Sequence, residues 1–256
     1  MNADSSGDVR RIAVAGGTGL VGSKVVAEVR RAGATPVVVS RSAGIDLETG
    51  SGLGAALDGV DVVIDVSNVE TLSAKRSVAF FETASRHLLD AGAAAGVRHH
   101  VALSIVGCDR VDMGYYLGKR RQEEVVAAGE VAWTVLRATQ FHEFAGQLID
   151  RSPRPFALAP RMRCQPVAAD DVAAALVACA LGEPQGLAPD LAGPRPERMD
   201  LLVREELRRR GARRVVVPLP MTGRVGRQVR GGGLLPGPGA TLAAITFEEW
   251  AARDRA

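Results

Sequence analysis

The residues whose types and spacing say most about chemistry are three glycines, Gly16, Gly19 and Gly22. Glycine permits the positive φ of a tight turn and leaves backbone open to a ligand that a Cβ would shield. The trio follows an apolar run, Ile12–Ala15, and leads into Leu20, Val21, Val25, Val26 and Val29, which recur at a helical period. A helix starting there points unsatisfied amides and a partial positive charge outward, which suits a pyrophosphate. The contacts would fall on Gly16, Thr18, Gly19, Leu20, Val21 and Gly22. The spacing is G-x-x-G-x-x-G, not the G-x-G-x-x-G of the dehydrogenase fingerprint.

Cofactor choice is read at the end of the next strand. An NAD-binding unit carries Asp or Glu about twenty residues on, bonded to the ribose diol. Positions 38 to 42 hold no acid, and Arg41 stands there between Ser40 and Ser42. That trio suits a 2′-phosphate, so NADP(H) is expected over NAD(H); the plainer reading is a solvent-facing arginine. Val66, Ser67 and Asn68 close a third apolar strand, where open parallel sheets bind ligands, and they equally suit turn capping. Tyr115 and Lys119 lie four apart on one helix face. The same pattern fits an amphipathic helix with one aromatic face and a solvated lysine.

These groups need a framework, and the chain supplies strand-then-helix units. Strands are expected at Ile12–Ala15, Thr35–Val39, Val60–Asn68, His100–Ile105 and Ala132–Arg137, with an edge strand at Gly44–Leu47. Helices are expected from Leu20 to a cap at Gly33, near Leu53–Leu57, at Ala74–Ala95 and at Tyr115–Val126. Units of this length imply right-handed crossovers, hence an α/β Rossmann-type, doubly wound parallel sheet. Residues 1–150 would form this core. Residues 151–256 would add a smaller C-terminal substrate-side portion within one structural unit. There Asp170 is placed to cap a helix running to Leu181, and Met199–Arg210 and Arg214–Val217 read as helix and strand. The glycine-rich stretch Gly231–Gly239 reads as a flexible loop, either a lid or a surface connection.

Composition narrows the class. With 256 residues, 46% hydrophobic and 24% charged, the chain has the make-up of a soluble globular protein. The net charge of +3 sums 32 basic and 29 acidic residues, so the arginine clusters at 208–214 and 224–230 read as solvated faces and no nucleic-acid partner is expected. Cys108, Cys164 and Cys179 lack metal or disulfide spacing, which points to reduced thiols and a cytoplasmic setting. Met1–Arg10 is polar, without the apolar centre of a signal peptide, and no membrane span is expected. The four histidines have no thiol or acidic partners at ligand spacing, so no metal is expected. His142 alone falls near the expected cleft, after Gln140-Phe141, either lining a substrate pocket or bonded to backbone.

With these pieces in place, the chain resembles the short-chain dehydrogenase/reductase superfamily, in its atypical NmrA-like, NAD(P)H-binding branch. The matching residues are Ala15–Gly22, the strand end at Arg41, Tyr115-x-x-x-Lys119, Leu136–Phe141 and Ala169–Ala173. The resemblance implies NADP(H) binding, with Lys119 on the nicotinamide ribose and Thr139 among the cofactor contacts. It implies hydride transfer to a small carbonyl, quinone or unsaturated compound. In that scheme Tyr115 is the acid–base, Ser104 bonds the substrate carbonyl, and Gln140, Phe141 and His142 line the substrate side. A free phenol titrates near 10, and a neighbouring ammonium would lower it. The alternative is a non-catalytic NADP(H)-sensing regulator that works through a protein partner.

Overall fold

The computed structural model describes residues 10–253; apart from Arg10, the polar leader lies outside them. The first half alternates strictly: β1 (Arg11–Ala15), α1 (Leu20–Arg31), β2 (Thr35–Val39), α2 (Leu53–Leu57), β3 (Val62–Asp65), α3 (Ala74–Ala95), β4 (His99–Ile105), α4 (Gly114–Ala127) and β5 (Trp133–Ala138). Then come α5 (Phe144–Arg151), β6 (Phe156–Pro160), β7 (Arg163–Cys164), α6 (Ala169–Leu181), β8 (Gly186–Leu187), β9 (Leu191–Ala192) and β10 (Glu197–Arg198). The chain continues through α7 (Met199–Arg209), β11 (Val215–Leu219), α8 (Gly223–Arg230), β12 (Thr241–Leu242) and α9 (Phe247–Arg253).

The main sheet runs β12-β9-β5-β4-β3-β1-β2, with β8 also on β5, and its pairings are all parallel. Every residue of Ile12–Ala15 is fully buried, as a strand covered on both faces requires. On one face Val25 and Val29 of α1 meet Val172 and Leu176 of α6; on the other Leu57, Leu88 and Val126 cover β3 and β4. Each such side chain contributes about 1.5–3 kcal/mol on burial. Local chemistry sets the boundaries: Ser73 accepts the Arg76 amide at the start of α3, and Gly96 ends that helix at φ 77°. From β1 the chain steps out to β2 and returns on the other side of β1 as β3, so the sheet's switch point lies between β1 and β3.

Residues beyond 150 divide between two places. Helix α6 and strands β8, β9 and β12 complete the Rossmann layers, while α5, α7, α8, α9 and the paired β6 and β11 surround a second core around Ile149, Met199, Val203 and Leu234.

Three expectations are corrected. Gly44–Leu47 is no strand: a short 3-10 turn at Arg41–Ala43 precedes it, and the Asp46 carboxylate accepts the Glu48 amide at 2.7 Å, bending the chain. Asp170 lies within the first turn of α6 rather than capping it, and its carboxylate pairs with Lys24 at 2.9 Å. Gly231–Gly239 is pinned: Leu234 is fully buried, and the Gly237 amide bonds Asp190 Oδ2 at 3.1 Å.

A candidate dinucleotide site at the sheet switch point

The glycine turn is tied to both neighbouring strands. The Gly16 amide donates to the Val39 carbonyl at 2.9 Å, and the Val66 amide to the Ala15 carbonyl at 3.0 Å. Gly16 takes φ +78°, and a Cβ there would stand 2.9 Å from Ser67 Cα and from the Val66 carbonyl oxygen. A Cβ on Gly22 would overlap the Gly16 carbonyl oxygen at 2.0 Å. Two of the three glycines are thus demanded by packing. The third, Gly19, begins α1 with extended backbone and no side-chain cap, and Thr18, Gly19 and Leu20 are exposed. The first-turn amides of α1 have no partner within the helix, and no acidic side chain lies in that turn.

At the end of β2, Ser40 is buried and its hydroxyl meets that of Ser42 at 2.9 Å. Arg41 is exposed, with no ion pair among the described residues. Beyond β3, Val66 and Ser67 are buried, and the Ser67 hydroxyl has no hydrogen-bond partner. Asn68 is exposed and accepts the Tyr115 hydroxyl at 2.9 Å. The structure therefore brings the start of α4 to the ligand end of β3.

Tyr115 and Tyr116 take different parts. Tyr116 is buried in the second core and accepts the Gln140 amide at 3.1 Å, whereas Tyr115 reaches the rim of the crevice. Burial pushes the Tyr115 phenol up, and Tyr116 beside it adds to the shift. Lys119 is buried one turn on. Its ammonium donates to the Leu103 carbonyl at 3.0 Å and to Gln122 Oε1 at 2.9 Å, and lies 4.2 Å from the centre of the Phe81 ring. Burial lowers it to about 8, against the opposing pull of Asp65.

Other anticipated side chains are engaged inside the protein. Ser104 donates to Glu123 Oε1 at 2.5 Å, and Arg137 grips the same carboxylate through Nε at 2.9 Å and Nη2 at 2.6 Å. Thr139 donates to the Gln165 carbonyl at 2.5 Å. Phe141 bridges to Val167 and packs against the Rossmann core. His142 is 1% exposed; its Nε2 meets the Ile245 carbonyl at 3.2 Å, and its ring packs on Phe247 and Trp250. A substrate-facing His142 is thereby replaced by the backbone-bonded one, because α9 closes over the ring.

Sequence reading passed over Asp65 and Gln122, buried beneath the crevice, and the Glu123–Arg137 pair. A carboxylate closing the apolar run Val62–Ile64 was the available sign for Asp65. Glu123 and Arg137, on different elements, carried none. A cleft of about 590 Å3 also opens beside Leu20 and Lys24 and passes under Gln147, Arg210 and Trp250. Tyr115 and Lys119 are not part of its wall.

A turn in which neither Gly16 nor Gly22 admits a Cβ, free first-turn amides and an unpartnered Ser67 hydroxyl fit a dinucleotide laid across β1 and β3. Residues 16–183 match the family model described as NAD(P)H-binding. The chain belongs to that family. A curated relative from Streptomyces griseus, a (4-alkanoyl-5-oxo-2,5-dihydrofuran-3-yl)methyl phosphate reductase, is 31% identical over 144 residues. That match takes in 51% of this chain and 48% of the relative, so the chain spans about half of its length. The NADPH complex of an Escherichia coli NADPH-dependent quinone oxidoreductase superposes with TM-score 0.71 at 18% identity, covering 96% of this chain and 100% of that one. An Agrobacterium tumefaciens short-chain dehydrogenase/reductase superfamily protein with bound NAD gives 0.67 at 21% identity, covering 96% and 98%. At those identities the likeness is one of fold, a Rossmann architecture. Among the described residues no helix is long and apolar enough to cross a membrane, and no cluster of metal-ligating side chains occurs.

Proposed function

We propose that the protein is an NADP(H)-dependent reductase of a small carbonyl, quinone or unsaturated ring compound. The observation that carries this reading is the Tyr115 hydroxyl on Asn68 at the ligand end of β3, with Lys119 one turn behind it. The names of the Streptomyces reductase and the Escherichia coli quinone oxidoreductase support a reductive role. Bound reduced nicotinamide would supply a hydride to an electrophilic carbon of the substrate. The glycine-turn amides hold the pyrophosphate, and Arg41 with Ser42 holds the 2′-phosphate, favouring NADP(H) over NAD(H). Val66, Ser67 and Asn68 form the wall opposite the turn.

Tyr115 donates its proton to the substrate atom that gains electron density, with Asn68 orienting the hydroxyl. Its phenol is held up by burial, so the positive charge of Lys119 is needed to make proton loss accessible near neutrality. With Ser104 turned to Glu123, substrate orientation falls to Tyr115 and Asn68. The test is NADPH oxidation against a panel of quinones, carbonyls and conjugated lactones. Turnover is expected, and Tyr115→Phe lowers kcat by about 10²–10⁴ with melting close to wild type. Absence of turnover across the panel overturns the catalytic reading.

One observation favours a second reading, a sensor without chemistry: the hydroxyls of Ser104 and Thr139 and the Nε2 of His142 are all spent on internal bonds. A sensor binds NADPH, turns nothing over and engages a protein partner according to the cofactor's redox state.

A further inference from the structure

Beneath the crevice lies a buried polar chain that ends on Lys119, and the reaction scheme above gives no part to its other two members, Asp65 and Gln122. Asp65 is 0% exposed, Gln122 1% and Lys119 4%. Asp65 Oδ1 accepts the Ser67 amide at 2.9 Å, and its Oδ2 accepts Gln122 Nε2 at 2.8 Å. Gln122 is thereby oriented with its carbonyl oxygen on Lys119, 2.9 Å from the ammonium. The chain thus links the α4 lysine to the backbone that Gly16 packs against. Buried charge normally sits in direct ion pairs, because an unpaired charge is costly to desolvate. Here an amide stands between the charges instead.

We propose that Asp65 and Gln122 are positioning residues, Gln122 passing the influence of the Asp65 carboxylate to Lys119 so that its ammonium stays charged and oriented without being locked in an ion pair. The groups facing Lys119 from the surrounding elements support this. From α4, Glu123 contributes a charge already neutralised by the two-pronged Arg137 contact. From the turn after β4, the Cys108 thiol is pushed up to about 12, chiefly by burial, and is uncharged near neutrality. From α3 comes the Phe81 ring, which favours a cation over its face. On β4, His100 faces Asp65, and burial lowers its pKa, keeping it neutral. Asp65 on β3 therefore supplies the one uncompensated negative charge among the groups facing Lys119. Two of the three ammonium donors are spent on Leu103 and Gln122, leaving one for a ligand.

The catalytic consequence rests on the reductase reading, whereas the positioning itself is measurable without turnover. The chain contains three lysines, Lys24, Lys75 and Lys119, so protein labelled with 13C at lysine Cε gives three resonances. Lys75 is exposed and Lys24 is ion-paired at the surface with Asp170. In wild type the Lys119 resonance, identified by its loss in Lys119→Met, should titrate near 8, below the ordinary 10.5 of a lysine. Asp65→Asn should weaken its proton affinity at least tenfold, and Gln122→Met, close in volume, should move it the same way. Lys24 and Lys75 should stay put. Lys119 titrating at the ordinary 10.5, or unmoved in folded variants of lower melting temperature, overturns the proposal, since a purely structural network predicts the latter. Should Asp65→Asn fail to fold, Gln122→Met decides. In turnover with NADPH, the pH profile of kcat should move with the Lys119 resonance and KM much less. A missing turnover with the titration shifts intact sinks the reductase reading and leaves the positioning standing.

Discussion

The glycine turn and the floor beneath α4 are built on opposite plans. The turn is almost all backbone: its shape follows from three residues without side chains and from bonds to the adjacent β2 and β3. The floor is almost all side chain, from Asp65 through Gln122 and Lys119 to Ser104, Glu123 and Arg137, contributed by β3, β4, α4 and β5. A site made of backbone is fixed by what cannot fit there. A site made of side chains is fixed by which partners the fold brings together, and each substitution shifts charge as well as shape.

The sharpest way to break the first region is Gly22→Ala. The added methyl meets the Gly16 carbonyl oxygen at 2.0 Å, with no flexible side chain to give way. We expect a loss of roughly 1–3 kcal/mol in urea unfolding and calorimetric NADPH binding below detection. Binding at wild-type strength would show that the turn is not the pyrophosphate cradle. A smaller effect is expected from Arg41→Ala, which changes charge on an exposed rim. NADPH affinity should fall about tenfold, near the lower end for a hydrogen bond to a charged group, while NADH affinity holds. Equal losses for both cofactors would refute the 2′-phosphate contact.

The smallest effect concerns the floor and reads as pH dependence. Burial sets Lys119 at about 8, below its ordinary 10.5. Between those values the unfolded chain binds more protons than the folded one, so this group makes stability rise with pH. Cys108 and Cys164, both raised to about 12 from 9.0, act in the opposite direction above their unfolded value. The clean window is therefore pH 8 to 9, where Lys119 should add roughly 1 kcal/mol. Parallel denaturation of wild type and Lys119→Met at both pH values checks this: the variant should lack the rise.

The same contrast explains what the sequence made legible. Thr35–Val39 and Ala74–Ala95 were readable to the residue because their limits rest on neighbours in the chain, such as Ser73 and Gly96. The order of strands and helices followed from the same rhythm, as did the glycine turn between β1 and α1. Ser104 looked like a strand-end hydroxyl facing ligand, but its partner Glu123 lies on α4, and strand alternation alone does not reveal it. His142 was ambiguous for the same reason: Ile245, Phe247 and Trp250 reach it from the far end of the chain. Gly44–Leu47 has the apolar content of a strand, yet the Asp46 carboxylate captured the next amides first.

One contact in the second core bears on how the protein can be handled. Gly107 accepts no Cβ because the Gly233 carbonyl oxygen would be 2.1 Å away, and Leu234 beside it is fully buried. The tail is thereby clasped to the turn after β4, two residues from Ser104's strand end at Ile105. Shortened expression variants that stop before Leu234 would uncap apolar surface and aggregate.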